Sequence, residues 1–255
     1  MRLKDKVVIV TGATSGIGKS IAQLAINEGA KVLVHGINKA EGETTVAELG
    51  ENARLCIADL AEVNAPSLIV AACLKEFGRI DAVVNNAATI ERGRLGEISV
   101  EDFERAMAVN TRSALFLIQA AFEELKKNKG AVLNIGSINA YSGESSLLIY
   151  SISKGAMQTM SRNLANAHGK DGVRINQINP GWVLTEREYV DQIKKGMEEN
   201  WPEKLTREHA PSGRIIKPEE IAVAAIYWIS DESYPITGSV VELEQFSIFG
   251  RNPEK

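Results

Sequence analysis

Lys6-Val-Val-Ile-Val-Thr-Gly-Ala-Thr-Ser-Gly-Ile-Gly18 decides how the rest of the chain reads. Its first six residues, Lys6–Thr11, form the kind of apolar, β-branched run that makes a strand covered on both faces. A glycine-rich turn follows, then a helical stretch from about Ile17 to Glu28. Gly12 permits a tight turn, while Gly16 and Gly18 let backbone approach a ligand and let the helix pack close to a sheet. A helix start in that place, entered through Ser15, offers free N–H groups and the positive end of its dipole to a pyrophosphate. The spacing is G-x-x-x-G-x-G, not the G-x-G-x-x-G dinucleotide fingerprint. A glycine-rich turn without a ligand is the competing reading.

Outward from this stretch, short Val/Ile-rich runs alternate with longer helical ones. Strands are expected at Lys31–His35, Arg54–Ala58, Ile80–Asn85, Ala131–Gly136, Val173–Ile178 and Val240–Leu243. Helices are expected at Glu41–Leu49, Ala65–Phe77, Val100–Lys127, Tyr150–His168 and Pro218–Ser230. Strand–helix alternation with right-handed crossovers implies an α/β, Rossmann-type, doubly wound parallel sheet of about seven strands with helices on both faces. No repeat, low-complexity tract or linker divides residues 1–255, so one domain is expected. The stretch at about Thr185–Lys217, with Pro202, Pro211, Gly213 and many charges, interrupts the alternation and reads as a substrate lid.

Composition narrows the function. Hydrophobic residues make up 44% and charged residues 24% of the 255, and the formal charge is −4. That balance excludes a disordered chain, and the acidic charge offers no footprint for nucleic acid and no polybasic membrane anchor. The longest apolar run, Ile221–Ile229, is far too short for a bilayer span. The start Met1–Lys6 runs straight into a strand, leaving no room for a signal peptide. Cys56 and Cys73 stand apart, which fits a reducing cytoplasm. His35, His168 and His209 form no metal-ligand spacing, and neither H-E-x-x-H nor G-x-S-x-G occurs, so neither a metal nor an acyl-transfer triad is expected.

Chemistry concentrates in the second half. Tyr150-Ser-Ile-Ser-Lys154 puts a phenol and an ammonium one helical turn apart on one face. A nearby cation favours phenolate. Bringing a phenol from ~10 to neutrality takes about 4 kcal/mol, more than one ammonium readily supplies. An oxidised nicotinamide, also positive, could supply part. Ser137 ends the fifth strand, and in open α/β sheets chemistry sits outside the C-terminal strand ends. Ser137 is thereby able to donate to a substrate oxygen beside Tyr150. At the ribose end, Val34-His-Gly-Ile-Asn-Lys39 presents Gly36 and Ile37 where a carboxylate would select NAD and an arginine NADP. The missing carboxylate, with Lys39 or Lys19 nearby, tilts the reading toward NADP(H) over NAD(H). Asp59-Leu60 is placed either to meet the adenine or to cap the next segment.

Together these elements closely resemble the short-chain dehydrogenase/reductase family, compact single-domain branch. The matching set is T-G-x-x-x-G-I-G at Thr11–Gly18, Asp59, N-N-A at Asn85–Ala87, Asn110, Ser137, Tyr150, Lys154 and N-P-G at Asn179–Gly181. The resemblance implies an NAD(P)-dependent enzyme acting on CH–OH groups. It makes Tyr150 the general acid–base. Lys154 would lower the pKa of Tyr150 and hold the nicotinamide ribose, and Ser137 would orient the reacting oxygen. Asn110 would hold a water in a proton relay, or else bond helix backbone. Asn85 would stabilise the central sheet, and Asn86 and Ala87 would border the cofactor. Pro180 and Gly181 would bend the chain around the nicotinamide, with Val183 beside them and Thr185 bonding the carboxamide or the phosphates. Ile17 would pack near the ring or simply in the core. A homotetramer or homodimer, assembled partly through the helices beginning near Val100 and Tyr150, is also implied.

Three departures from the family stand out. Asn85-Asn-Ala-Ala88 replaces N-N-A-G, the ribose position carries no selector, and Val240-Val-Glu-Leu-Glu-Gln245 replaces V-D-G-G. Arg251–Lys255 reads as a frayed tail. Polar residues crowd the expected pocket. They are Arg92, Arg94, Asn139, Tyr141 and Glu144, with Glu186, Arg187, Glu188, Asp191, Lys194, Lys195, Trp201, Lys204, Arg207 and His209 from the lid. They favour a small polar substrate (a sugar, sugar acid or polyol) over a steroid or acyl chain. A catalytically silent dinucleotide-binding regulatory or scaffold protein is the alternative, and a nicotinamide-assisted epimerase or dehydratase a third.

Overall fold

The computed structural model describes residues 1–141 and 144–246; the expected tail at Arg251–Lys255 lies outside them. Seven parallel strands form one sheet in the order β3-β2-β1-β4-β5-β6-β7. They are β1 Val7–Val10, β2 Lys31–Gly36, β3 Ala53–Ile57, β4 Ala82–Asn85, β5 Ala131–Ile135, β6 Arg174–Pro180 and β7 Val240–Leu243. The order reverses direction between β1 and β4, which opens a crevice at their C-terminal ends.

Side-chain alternation along a strand explains why both faces are covered. Val8 and Val10 of β1 pack with Ile21, Ala22 and Ala25 of α1 (Gly16–Asn27). Leu49 of α2 (Lys39–Leu49) packs in the same layer. Val7 and Ile9 point the other way, toward Ile69 of α3 (Ala65–Phe77). The α4 helix (Val100–Met107) leads through a π-helical turn, Ala108–Arg112, into α5 (Ser113–Lys127), whose Leu117, Ala121 and Leu125 join that second layer. The α6 helix (Leu148–His168) contributes Ala165 to this layer. The segment α7 (Glu186–Lys194) follows β6, and α8 (Pro218–Ile229) closes the first layer through Ile221, Ala222 and Ala225.

Two elements differ from the sequence expectation. The helix expected over Val100–Lys127 is interrupted by the π turn that holds Asn110. Such one-turn bulges commonly sit at functional sites. The stretch 185–217 is not irregular throughout, because α7 forms inside it. Thr185 caps α7 by accepting the Glu188 amide at 3.1 Å, and the Thr-x-x-Glu spacing was a helix-start signal in the sequence. Trp201, Ala210 and Ile215 are buried, so the segment is anchored at several points.

A chain of buried amides ties the site-bearing strands together. Asn85 Nδ2 donates to Asn134 Oδ1 (2.8 Å), and Asn134 Nδ2 donates to Ser161 Oγ (2.8 Å) on α6. Ser161 Oγ meets Gln177 Oε1 (2.8 Å), and Gln177 Nε2 donates to Asn179 Oδ1 (2.7 Å). The same Asn179 oxygen accepts the Ser137 backbone amide at 3.1 Å. Buried polar groups need such partners, and the chain therefore specifies how β4, β5, β6 and α6 sit. Among the described residues, no helix is long and apolar enough to cross a membrane, and no cluster of three His, Cys, Asp or Glu could hold a metal.

Candidate active site

A cavity of about 1330 Å³ runs along the C-terminal strand ends. It is lined at one end by Gly36, Glu41, Asp59 and Leu60, along its middle by Gly12, Ser15, Gly16, Ile17, Asn86 and Ala87, and beyond by Ser137, Tyr150, Lys154, Pro180, Gly181, Val183 and Thr185. The structure thus brings most of the expected catalytic and cofactor-binding residues onto one cavity.

The cradle is built by close packing. Gly12 turns at φ +61°, where a Cβ would lie 2.9 Å from Ala87 Cα. Asn86 Nδ2 donates to the Thr11 and Gly12 carbonyls (2.8 and 3.1 Å), and Thr11 Oγ1 accepts the Asn86 and Ala87 amides (2.9 and 3.1 Å). Gly18 does not line the cavity. A Cβ on it would fall 2.2 Å from the Gly12 carbonyl oxygen, so its role is to let α1 lie against the turn. Ser15, the residue before α1, is extended and makes no side-chain cap, which leaves the first amides of the helix without a side-chain partner. An uncapped helix start beside a glycine turn and a long cavity fits the pyrophosphate and two ends of a dinucleotide.

His35 belongs to this cradle, and sequence reasoning missed it. Its Nε2 lies 3.0 Å from the Ala58 carbonyl and its Nδ1 3.3 Å from the Gly12 amide. The Nε2–H tautomer donates to Ala58 and accepts from Gly12, and burial lowers the ring's pKa, keeping it neutral. The residue links the ends of β2 and β3 to the first turn. No spacing rule reveals this, because the contact arises only when β2 pairs with β1.

The expected phosphate partners are engaged elsewhere. Lys19 pairs with Glu48 at 2.6 Å and Lys39 with Glu43 at 3.6 Å, and neither lines the cavity. Glu41 does line it, and Arg105 lies 3.4 Å from Asp59. Arg105 lines this end too, so the cavity carries both a glutamate and an arginine there, and the two lysines expected to favour NADP(H) stand outside it.

At the other end, Tyr150 and Lys154 extend from the first turns of α6. Lys154 is fully buried, and its Nζ donates to the Ile135 carbonyl at 2.7 Å, 5.6 Å from the Tyr150 ring centroid. Tyr150 and Ser137 both line the cavity, and Ser137 favours the ionised phenol, while Ser137 Oγ accepts the Asn139 amide at 3.1 Å. Burial pushes the phenol up to about 12, with Ser137 pulling it back in part, and lowers the Lys154 ammonium to about 8. Burial works against the charged form of each, but an ammonium at about 8 is still mostly charged at pH 7, and the phenol is not brought toward neutrality by Lys154 alone.

Asn110 lies behind the cavity wall, fully buried. Its Oδ1 accepts the Thr89 amide (2.8 Å), and its Nδ2 donates to the Thr89 carbonyl and to Ser153 Oγ (both 2.9 Å). Both amide hydrogens are thus taken by protein, and Asn110 ties the 89 region to α6. Of the polar residues expected near the pocket, Arg92, Asn139, Glu144, Glu186, Arg187, Glu188 and His209 line it. Arg94, Tyr141, Asp191, Lys194, Lys195, Trp201, Lys204 and Arg207 do not. Trp201 instead stacks on Trp182 at 5.4 Å and anchors the segment.

Residues 12–244 match the family profile described as enoyl-(acyl carrier protein) reductase, a short-chain dehydrogenase/reductase profile. The chain belongs to the short-chain dehydrogenase/reductase family. It is 35% identical to D-threitol dehydrogenase of Mycolicibacterium smegmatis, over 93% of this chain and 91% of that protein. It is 31% identical to 3-beta-hydroxysteroid dehydrogenase of Comamonas testosteroni, over 98% of each. The solved structure of levodione reductase superposes with a TM-score of 0.87 at 25% identity, covering 95% of this chain and 97% of that one. The chain is accordingly an NAD(P)-dependent oxidoreductase that interconverts alcohols and carbonyls.

His35→Leu leaves the Gly12 amide without its acceptor. The expected outcome is a loss of about 1–3 kcal/mol in unfolding free energy in a urea titration, with weaker dinucleotide binding. Unchanged stability and affinity would show that the turn holds without the imidazole.

Proposed function

We propose that Tyr150 exchanges a proton with the oxygen of a small hydroxylated substrate, one of the polyol or sugar kind, in a single catalytic domain. The observation that carries this reading is the hydroxyl pair of Ser137 and Tyr150 beside buried Lys154 on a cavity that continues into the glycine cradle. The turn at Gly12–Ile17 with Pro180, Val183 and Thr185 would hold the dinucleotide, which when bound would supply or accept the hydride and, oxidised, bring a positive charge to the site. Ser137 Oγ donates to the reacting oxygen, and its backbone is held by Asn179. Tyr150 gives the proton in carbonyl reduction and takes it in alcohol oxidation. Lys154 contributes charge when protonated, and Asn110 positions α6 by bonding Ser153. The segment 185–217 serves as the substrate-side wall. The mixed polar lining and the likeness to a D-threitol dehydrogenase support a polyol-type substrate.

Tyr150→Phe lowers turnover by about 10²–10⁴-fold while dinucleotide still binds, measured by steady-state kinetics and fluorescence titration. Near-normal turnover would remove Tyr150 from the proton transfer.

The pH profile of reduction follows from the two burial effects. Reduction needs a neutral phenol, present up to about 12, and a charged Lys154, lost as pH rises through about 8. We expect kcat/KM for reduction to be flat below about 8 and to fall above it. A profile flat through the alkaline range would exclude any need for the Lys154 charge.

Glu41 at the ribose end repels a 2′-phosphate and accepts hydroxyls, so NADH is expected to bind about tenfold more tightly than NADPH. Titration of both decides it. Tighter NADPH binding would mean that Lys19 or Lys39 leaves its glutamate.

A further inference from the structure

The stretch Val240–Gln245 departs from the family pattern, and the structure gives its two carboxylates, Glu242 and Glu244, different surroundings. The Glu242 carboxylate accepts the Tyr141 hydroxyl and does not line the cavity. Glu244 lines it, immediately after β7. Its Oε1 accepts the Gln245 amide at 2.6 Å and its Oε2 the Trp182 amide at 3.3 Å. The carboxylate lies directly on Gly181, where a Cβ would come within 1.8 Å of Oε2. The glycine of the N-P-G turn therefore makes room for this acid, and the turn's own backbone orients it.

Among the described residues, Glu244 has no cationic partner. Of the other acids on this wall, Glu188 Oε1 accepts both the Trp182 indole (2.8 Å) and Gln192 Nε2 (2.7 Å), Glu144 lies 3.4 Å from Arg92, and Glu186 sits in the first turn of α7 rather than on the N-P-G turn. A carboxylate has about four acceptor positions, and two backbone donors leave roughly two open. The strand order places β5, β6 and β7 side by side, so the strand ends carrying Ser137 and Glu244 are roughly 10 Å apart at the usual strand spacing. One extended molecule can reach from one to the other.

We propose that Glu244 is a specificity-determining residue that accepts hydrogen bonds from hydroxyls of a neutral polyol or sugar whose reacting carbon lies at Ser137 and Tyr150. This rests on the reading of Tyr150 and its polar substrate given above, and it narrows that class. A fixed acid with open lone pairs rewards neighbouring hydroxyls and repels a substrate carboxylate, so sugar acids are disfavoured. Two backbone donors already offset part of its charge, which suits it to neutral hydroxyls more than to an ammonium.

The test compares wild type with Glu244→Gln, which keeps an oxygen for the Trp182 amide. Both are assayed with a four-carbon polyol, a four-carbon secondary alcohol without further hydroxyls, a four-carbon hydroxy acid and a four-carbon amino alcohol. Dinucleotide affinity and thermal unfolding report that the variant is intact. In the wild type, the polyol is expected to lead. In the variant, the kcat/KM ratio of polyol to simple alcohol should fall by about tenfold to hundredfold, carried mainly by KM. The ratio of hydroxy acid to simple alcohol should rise. Ratios within twofold of wild type, on an enzyme that does turn over the polyol, would overturn the role of Glu244 and leave the polar-substrate reading standing. Preference for the amino alcohol over the polyol would overturn the hydroxyl assignment. A wild type active only on lipophilic ketones would overturn both readings.

Discussion

The arrangement of this site depends on the need to satisfy polar groups that are cut off from water. The amides of Asn85, Asn134, Gln177 and Asn179 and the hydroxyl of Ser161 run through the interior where β4, β5, β6 and α6 meet. Each has few alternatives, and shifting any one strand would leave a buried donor or acceptor unpaired. The last amide in the run holds the Ser137 backbone. Gly136 follows the same logic, since a Cβ there would come within 2.0 Å of Asn179 Oδ1. The hydroxyl that shares the cavity with Tyr150 is thus placed by groups several residues and several strands away.

Lys154 extends that constraint into the electrostatics. Its ammonium is buried against the Ile135 carbonyl, with no carboxylate partner among the described residues. Desolvation alone therefore moves it down, while the same apolar surroundings move Tyr150 up. At neutral pH the phenol is uncharged, while the ammonium, lowered only to about 8, keeps most of its charge.

The acids on the wall follow a related principle. Whether a carboxylate is structural or available depends on what already bonds it. Glu242 in β7 and Glu244 just after it stand two residues apart, yet one is taken by a tyrosine and the other rests on backbone amides over Gly181.

The sequence alone determined the element order, the glycine turn, the Tyr150–Lys154 pair and Ser137 at a strand end. All of these are local patterns in which spacing reports geometry directly. It did not reveal α7, although Thr185 and Glu188 signalled its start, because the charges and prolines around them looked irregular. It also could not say which charged residues of 185–217 face inward, since a loop has no period to read. Tertiary structure decided that His35 braces Gly12, that Lys19 and Lys39 are taken by glutamates, that the Asn110 amide is consumed by Thr89 and Ser153, and that Glu244 sits on Gly181. Each of these depends on which strands become neighbours. That order, β3-β2-β1-β4-β5-β6-β7, is set by the packing of buried faces and the pairing of buried amides, not by any short stretch of chain.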